Sequence, residues 1–146
     1  MAHRIIEIPG GRTTNDDAPE VKIVAPSDHP VTLIIMYYAG GTAENRVFGE
    51  LSFEHVLEYR WKADFVCYED HPEHEEDAKL GLIEIIDSRY VADMATKGQL
   101  RDYPGKRFGL GLNETQVRHF RISFDDHGRY DIIALEVSVR EIVEDD

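Results

Sequence analysis

Nearly strict alternation of apolar and polar residues from Leu51 to Cys67 is the feature that most restricts how this chain can fold. The odd positions read Leu, Phe, His, Leu, Tyr, Trp, Ala, Phe and Cys, and most even positions are polar. A period of two is typical of a β-strand with one buried face, so the pattern predicts that Trp61 is largely buried. One strand of 17 residues would span about 56 Å, too long for a domain of this size. The run must therefore bend, bulge or break, at a position that the sequence does not reveal.

Other strand-like segments share β-branched and apolar residues bounded by turn formers. The segment Val31 to Tyr38 is apolar on both faces and ends at Gly40-Gly41, which favours a central strand. Further strands are predicted at Leu80 to Ile86, Val117 to Phe124 and Tyr130 to Arg140, with short edge strands at Arg4 to Ile8 and Val21 to Val24.

One helix is predicted, from Arg89 to Lys97. Asp87 can cap its first turn, Val91 and Met94 lie on one apolar stripe, and Gly98 can end it. A series of strands with one main helix predicts an α+β fold with a mostly antiparallel sheet. Whether the sheet curls into a sandwich or a half-barrel is left open. No linker or repeat divides the chain, so residues 1–146 are interpreted as a single globular domain.

The charge balance limits the classes of partner. The chain has 16 Lys and Arg against 29 Asp and Glu, a net charge of −13. Nucleic-acid binding depends on neutralising phosphates with cations, so a nucleic-acid partner is not expected. The same field would attract a basic protein.

The single cysteine, Cys67, permits no intramolecular disulfide and is typical of a reducing compartment. No secretory leader and no long uncharged apolar segment is apparent, so a cytoplasmic protein without a membrane partner is predicted. An unpaired edge along Val31 to Tyr38 would support a homo-oligomer, but the sequence alone does not distinguish an edge strand from a central one.

An acidic segment from Tyr68 to Lys79 supplies the candidate partner-binding residues, which are Glu69, Asp70, Glu73, Glu75, Glu76 and Asp77. The same segment contains His71 and His74. Imidazoles and carboxylates are suitable ligands for zinc, nickel or manganese, so these histidines are the candidate metal ligands of an alternative hypothesis. Pro72 between them prevents the regular helix that would direct both at one ion.

A second polar cluster is predicted at the closing hairpin, where a general base could lie beside an anion-binding group. If His127-Gly128 is a two-residue turn, Ile122 lies opposite Ile133 and His119 opposite Glu136. His119, Arg121 and Glu136 are therefore expected to form this cluster, with His119 and Glu136 in contact.

Three segments carry a resemblance to known proteins. Arg118 to Ala134 resembles the C-terminal hairpin of small bacterial proteins of uncharacterised function, and Leu57 to Trp61 and Ile85 to Val91 resemble other segments of that group. Several of these families resemble the small acidic immunity proteins that neutralise polymorphic bacterial toxins. The resemblance implies a cytoplasmic inhibitor and assigns no functional residue.

These observations predict a non-enzymatic cytoplasmic binding protein, an immunity-type inhibitor of a basic protein, without a cofactor. No phosphate-binding loop, Gly-x-Ser-x-Gly or His-Glu-x-x-His motif occurs. The alternative is a small metal-binding domain or a metal-dependent hydrolase that uses histidine and carboxylate ligands.

Overall fold

The computed structural model describes residues 2–13, 19–25, 30–63, 80–100, 116–124 and 127–145. The strands with bounds in these ranges are β1 (His3–Ile6), β2 (Glu20–Val24), β3 (Val31–Gly41), β4 (Asn45–Val56), β5 (Glu58–Ala63), β6 (Leu82–Ile85), β7 (Arg118–Phe124), β8 (Gly128–Ala134) and β9 (Glu136–Asp145). Helix α1 (Arg89–Thr96) lies between β6 and β7 in the chain.

The strands form two open antiparallel sheets. Sheet one has the order β1-β6-β7-β8-β5, and sheet two has the order β2-β3-β4-β9. Side chains from both sheets meet in one apolar core, where the ring centroids of Phe53 on β4 and Phe120 on β7 are 5.5 Å apart. The predicted α+β class with mostly antiparallel strands is confirmed, and neither sheet closes into a barrel.

The long alternating run breaks at Leu57, between β4 and β5. His55 has a positive φ of 55°, and the Leu57 amide donates to the Ile133 carbonyl at 2.8 Å. On one side of the break β4 pairs with β9 in sheet two, and on the other side β5 pairs with β8 in sheet one. The run is thus divided between the two sheets, so no single strand has to span its full length.

The predicted strand from Tyr130 to Arg140 is wrong as a single element, because it breaks at Leu135. The Leu135 amide donates to the Glu54 carbonyl at 3.1 Å, directly beside the break at Leu57. The chain therefore passes from sheet one to sheet two between β8 and β9, beside the place where it passes from sheet two to sheet one between β4 and β5.

Trp61 is not largely buried, contrary to the prediction, and half of its surface is exposed. Its strand, β5, is the outermost strand of sheet one and has β8 as its partner there. Among the described strands, none lies beyond β5 to cover the outer half of the Trp61 ring. The alternation correctly indicates a strand but does not show its position in the sheet.

The segment Val31 to Tyr38 is a central strand, since β3 lies between β2 and β4. It has no free edge for a second copy of the chain, so that argument for a homo-oligomer is wrong. The short strands β1 and β2 do lie at sheet edges, as predicted.

Helix α1 begins at Arg89, as predicted, although Ser88 rather than Asp87 caps it. The Ser88 hydroxyl accepts the Val91 amide at 3.3 Å. Gly98 ends the helix as expected, with a φ of 73° and an amide that donates to the Ala95 carbonyl at 3.0 Å.

The register of the closing hairpin differs from the prediction by three residues, so that Ile122 lies opposite Tyr130 rather than Ile133. The cause is the turn. Phe124 pairs with Gly128, which makes Gly128 the first residue of β8 instead of part of a two-residue turn.

Candidate functional site

Polar side chains follow three neighbouring strands on the face of sheet one that lies away from the shared core. Arg60 on β5, Asp131 on β8 and Arg121 on β7 occupy one row across the sheet. His119 and Arg129 lie two residues along their strands on the same face, because successive side chains alternate between faces. Sheet pairing thus brings together residues that are far apart in the sequence.

A pocket of about 480 Å³ opens over this row. In the part of the chain that the structure describes, its walls combine cations, carboxylates and aromatic rings with one aliphatic side chain. The lining residues are Glu58, Arg60, Trp61, Lys62, Tyr90, His119, Arg121, Arg129, Asp131 and Ile133.

Helix α1 closes one end of the pocket. Val91 and Met94 anchor the helix in a small apolar cluster with Ile133 of β8. This packing places the Tyr90 ring 6.1 Å from the His119 ring. The guanidinium carbon of Arg60 lies 4.6 Å from the centre of the Tyr90 ring, which is cation–π geometry.

Asp131 is the centre of the polar network. Its Oδ1 atom lies 2.6 Å from His119 Nε2 and 2.9 Å from Arg121 Nε. Its Oδ2 atom lies 3.5 Å from Nε of Arg129, a side chain that is only 1% exposed. One carboxylate therefore balances several cationic or protonatable groups.

Burial alone would raise the pKa of the Asp131 carboxyl. The hydrogen bond from His119 and the charges of Arg121 and Arg129 outweigh that effect, and the pKa lies well below its usual range. Asp131 is consequently ionised at neutral pH and can only accept hydrogen bonds.

A second polar contact forms the rim of the pocket. Arg60 Nε donates to Glu58 Oε1 at 3.0 Å. Burial, assisted by the neighbouring Glu58 carboxylate, raises the pKa of the Tyr90 hydroxyl, which therefore stays protonated at neutral pH.

The pocket has the opposite charge to the chain as a whole. Among the residues that the structure describes, four permanent cations line it (Arg60, Lys62, Arg121 and Arg129) against the carboxylates of Glu58 and Asp131, an excess of two positive charges. The entire chain carries a net charge of −13. A local positive excess enclosed by low-dielectric walls attracts anions.

The structure brings together two of the three residues predicted for the polar cluster. His119 and Arg121 meet on Asp131. Glu136 does not join them, because the break at Leu135 moves it into sheet two, opposite Glu54. The predicted contact between His119 and Glu136 is therefore wrong, and Ile133 lies opposite His119 instead.

The candidate residues of the acidic segment (Glu69, Asp70, His71, Glu73, His74, Glu75, Glu76 and Asp77) and Cys67 lie outside the described residues. Among the residues that are described, no group of three or more His, Cys, Asp or Glu side chains could hold a metal ion. The predictions of a basic partner and of metal ligands in that segment stay predictions.

Sequence reasoning missed Asp131, Arg129 and Ser88. A signal existed for the first two, since Arg129 and Asp131 alternate with Tyr130 and Ile132, as His119 and Arg121 alternate with Phe120 and Ile122. Charged residues at alternate positions of two paired strands indicate a polar sheet face. Ser88 fits a helix cap as well as Asp87 does, and the sequence offered no means of choosing between them.

No protein-family model matches the chain. Searches of curated proteins and of solved structures found no significant match. The resemblance to small bacterial and immunity proteins stays a prediction.

Across the described ranges, the helical segments are all too short or too polar to span a bilayer.

Proposed function

We propose that this chain is a binding domain that holds an anionic ligand, a carboxylate or a phosphate, in the pocket on the outer face of sheet one. The observation that carries the proposal is the excess of two positive charges among the described lining residues of this pocket, within a chain whose net charge is −13. The proposal keeps the prediction of a binding protein and assigns the ligand to the row of polar residues on β5, β7 and β8.

Arg121 retains donors for such a ligand. A guanidinium has five N–H groups arranged as a fork that matches carboxylate and phosphate oxygens. Within the described ranges, the contact of Arg121 with Asp131 uses Nε. The remaining N–H groups can bind oxygens of a ligand, and charge-assisted bonds of this kind are about twice as strong as neutral ones.

The network also fixes its own geometry before a ligand arrives. His119, Arg121 and Arg129 are all at least four-fifths buried and converge on Asp131. Side chains that are already ordered lose little conformational entropy on binding. Trp61, Tyr90 and Ile133 add apolar surface, which favours a ligand with an aromatic or aliphatic part beside its anionic group.

Arg60 and Arg140 provide a matched test of anion binding. Both side chains are 67% exposed and both pair with a glutamate, Glu58 or Glu50, but Arg60 lines the pocket and Arg140 lies on β9. With inorganic phosphate and succinate as probes, we expect Arg60→Gln to weaken binding about tenfold, the loss typical of a charged hydrogen bond. Arg140→Gln should leave the affinity unchanged.

The measurement is a titration followed by amide and arginine side-chain NMR shifts, at constant ionic strength. The shifts should map to β5, β7 and β8. Equal weakening by the two variants, or shifts that never saturate, would mean that the pocket does not recognise anions.

A second candidate rests on the charge outside the pocket. We propose that the acidic remainder of the surface binds a basic protein, as in an immunity-type inhibitor acting in the cytoplasm. Because the described lining of the pocket carries an excess of positive charge, the net charge of all other residues is more negative than −13. Such a field accelerates association with a basic partner and is screened by salt.

The test is a pull-down from cells that naturally contain the protein, followed by stopped-flow association with any stoichiometric basic protein recovered. We expect the association rate to fall steeply with added salt. We also expect Glu73→Gln, Glu75→Gln and Glu76→Gln combined to slow it more than Glu141→Gln and Glu144→Gln on β9. A rate that is independent of salt would exclude electrostatic recognition.

A further inference from the structure

Ser88 lies at the junction between helix α1 and the polar network of sheet one. Its hydroxyl oxygen accepts the Val91 amide at 3.3 Å and lies 2.8 Å from Nδ1 of His119. On the other side of the same ring, His119 Nε2 lies 2.6 Å from Asp131 Oδ1. Serine, histidine and aspartate therefore form one continuous chain of hydrogen bonds.

The direction of this chain follows from Asp131. An ionised carboxylate cannot donate, so His119 Nε2 must carry the proton of their shared hydrogen bond. In a neutral imidazole the other nitrogen, Nδ1, is then an acceptor, and the Ser88 hydroxyl donates to it. This tautomer places a basic nitrogen against the proton of a serine, which is the arrangement that activates a serine nucleophile.

The two ring nitrogens are interchanged relative to the usual serine–histidine–aspartate triad, in which Nε2 faces the serine. The exchange leaves the chemistry intact, because either nitrogen of a neutral imidazole accepts a proton when the other is protonated. Ser88 is also accessible. It lines a pocket of about 510 Å³ together with Asp87, Arg89, Tyr90 and His119.

The start of helix α1 supplies donors for a developing negative charge. The first four amides of a helix have no acceptor within the helix, and in α1 the amide of Val91 is used by the Ser88 side chain. The amides of Arg89 and Tyr90 follow Ser88 directly. Backbone amides next to a nucleophile are suitable donors for the oxyanion of an acyl-transfer intermediate.

We propose that Ser88 is a nucleophile that hydrolyses a carboxylic ester, with His119 as its general base and Asp131 as the residue that positions His119. The inference goes beyond anion binding and does not depend on it.

In the first step Ser88 Oγ forms a bond to the acyl carbon while Nδ1 of His119 takes the hydroxyl proton. The bond to the alcohol then breaks, and the proton passes to the departing oxygen. In the second step water attacks the acyl carbon and gives a proton to Nδ1. The bond to Ser88 Oγ then breaks, which releases the carboxylic acid and returns the proton to the serine. Both steps balance with water as the co-reactant.

The test must distinguish a role of Ser88 as nucleophile from its role as the cap of helix α1. Asparagine caps a helix about as well as serine but has no hydroxyl, so Ser88→Asn removes the chemistry and keeps the cap. Ser138→Asn, at an exposed position of β9, makes the same change away from the site. Circular dichroism melts should show that both variants fold like the original protein.

The readouts are covalent labelling by a fluorophosphonate, located by peptide mass spectrometry, and hydrolysis of p-nitrophenyl acetate. We expect one label, on Ser88, and a loss of hydrolysis by at least about 100-fold in Ser88→Asn and in His119→Asn, the usual contribution of general-base catalysis. Ser138→Asn should retain both signals.

A Ser88 that stays unlabelled while the protein is folded, or hydrolysis that is unchanged in Ser88→Asn, would overturn the proposal. Phosphate and succinate binding by the pocket is measured separately, so either proposal can fail while the other stands.

Discussion

Replacing Asp131 by Asn is expected to lower the free energy of unfolding by about 3 kcal/mol, because it removes the charge that the surrounding cations require. Arg129 is 1% exposed and Arg121 has a side chain that is 13% exposed, so neither can recover its lost interaction from water. Removing one partner of a buried ion pair costs about 3 to 5 kcal/mol, and the partial exposure of Asp131 places the value at the lower end. Urea denaturation at pH 7 measures the difference.

Glu144→Gln is the control for this prediction. Glu144 pairs with Arg46 at 2.6 Å, but both side chains are close to half exposed. Pairs of this kind contribute less than about 1 kcal/mol. A loss from Asp131→Asn no larger than that from Glu144→Gln would mean that other groups balance Arg121 and Arg129.

The acid stability of the protein should report the same interaction. The pKa of Asp131 is lower in the folded state than in the unfolded state, so its stabilising contribution is complete above the unfolded pKa of about 4. The contribution is lost as the pH falls from there through the folded pKa. The difference in stability between the original protein and Asp131→Asn should therefore shrink as the pH is lowered below about 4.

Replacing Gly128 by Ala should destabilise the protein by about 3 to 5 kcal/mol. Gly128 has a φ of +145°, a conformation that residues with a side chain rarely adopt. A Cβ atom there would overlap the carbonyl oxygen of Lys62 and lie 2.7 Å from Trp61 Nε1. Backbone strain and steric overlap therefore combine at the point where β8 pairs with β5.

Gly40→Ala separates these two causes. Gly40 also has a positive φ, +117°, but a Cβ atom at this position has no neighbour within 4 Å. It should cost about 1 to 2 kcal/mol through strain alone. Thermal and urea unfolding of the two variants would compare them directly, and an equal loss would show that overlap with Lys62 and Trp61 does not matter.

Local periodicity in the sequence was sufficient to predict most strands, because one buried face leaves a period of two. It could not predict on which sheet a strand lies. Ile132, Ile133, Ala134 and Leu135 are apolar without interruption, since α1 covers the outer face of β8 at Ile133 while Ile132 faces the shared core. A strand covered on both faces does not alternate, so the change of sheet at Leu135 left no mark in the pattern.

The candidate site was only half predictable for a related reason. His119 and Arg121 were correctly grouped because they lie on the same strand face, a relation that depends on spacing alone. Which residue of β8 or β9 meets them depends on the register of the hairpin, which the turn sets. The register differs by three residues from the predicted one, so their partner is Asp131 and not Glu136. Arg60 and Ser88 reach the site through the sheet order and the placement of α1, which are tertiary features.

The paired crossing at Leu57 and Leu135 has a consequence for how the protein forms during synthesis. Strands β4 and β5 are synthesised well before their partners β9 and β8, and Glu54 pairs with a residue 82 positions further on. Sheet one also lacks its central strand, β7, until that point. A nascent chain that still lacks these strands can complete neither sheet, and closing such long loops is entropically costly. Neither sheet can therefore be completed before its distant strands, β7 and β8 for sheet one and β9 for sheet two, have been synthesised.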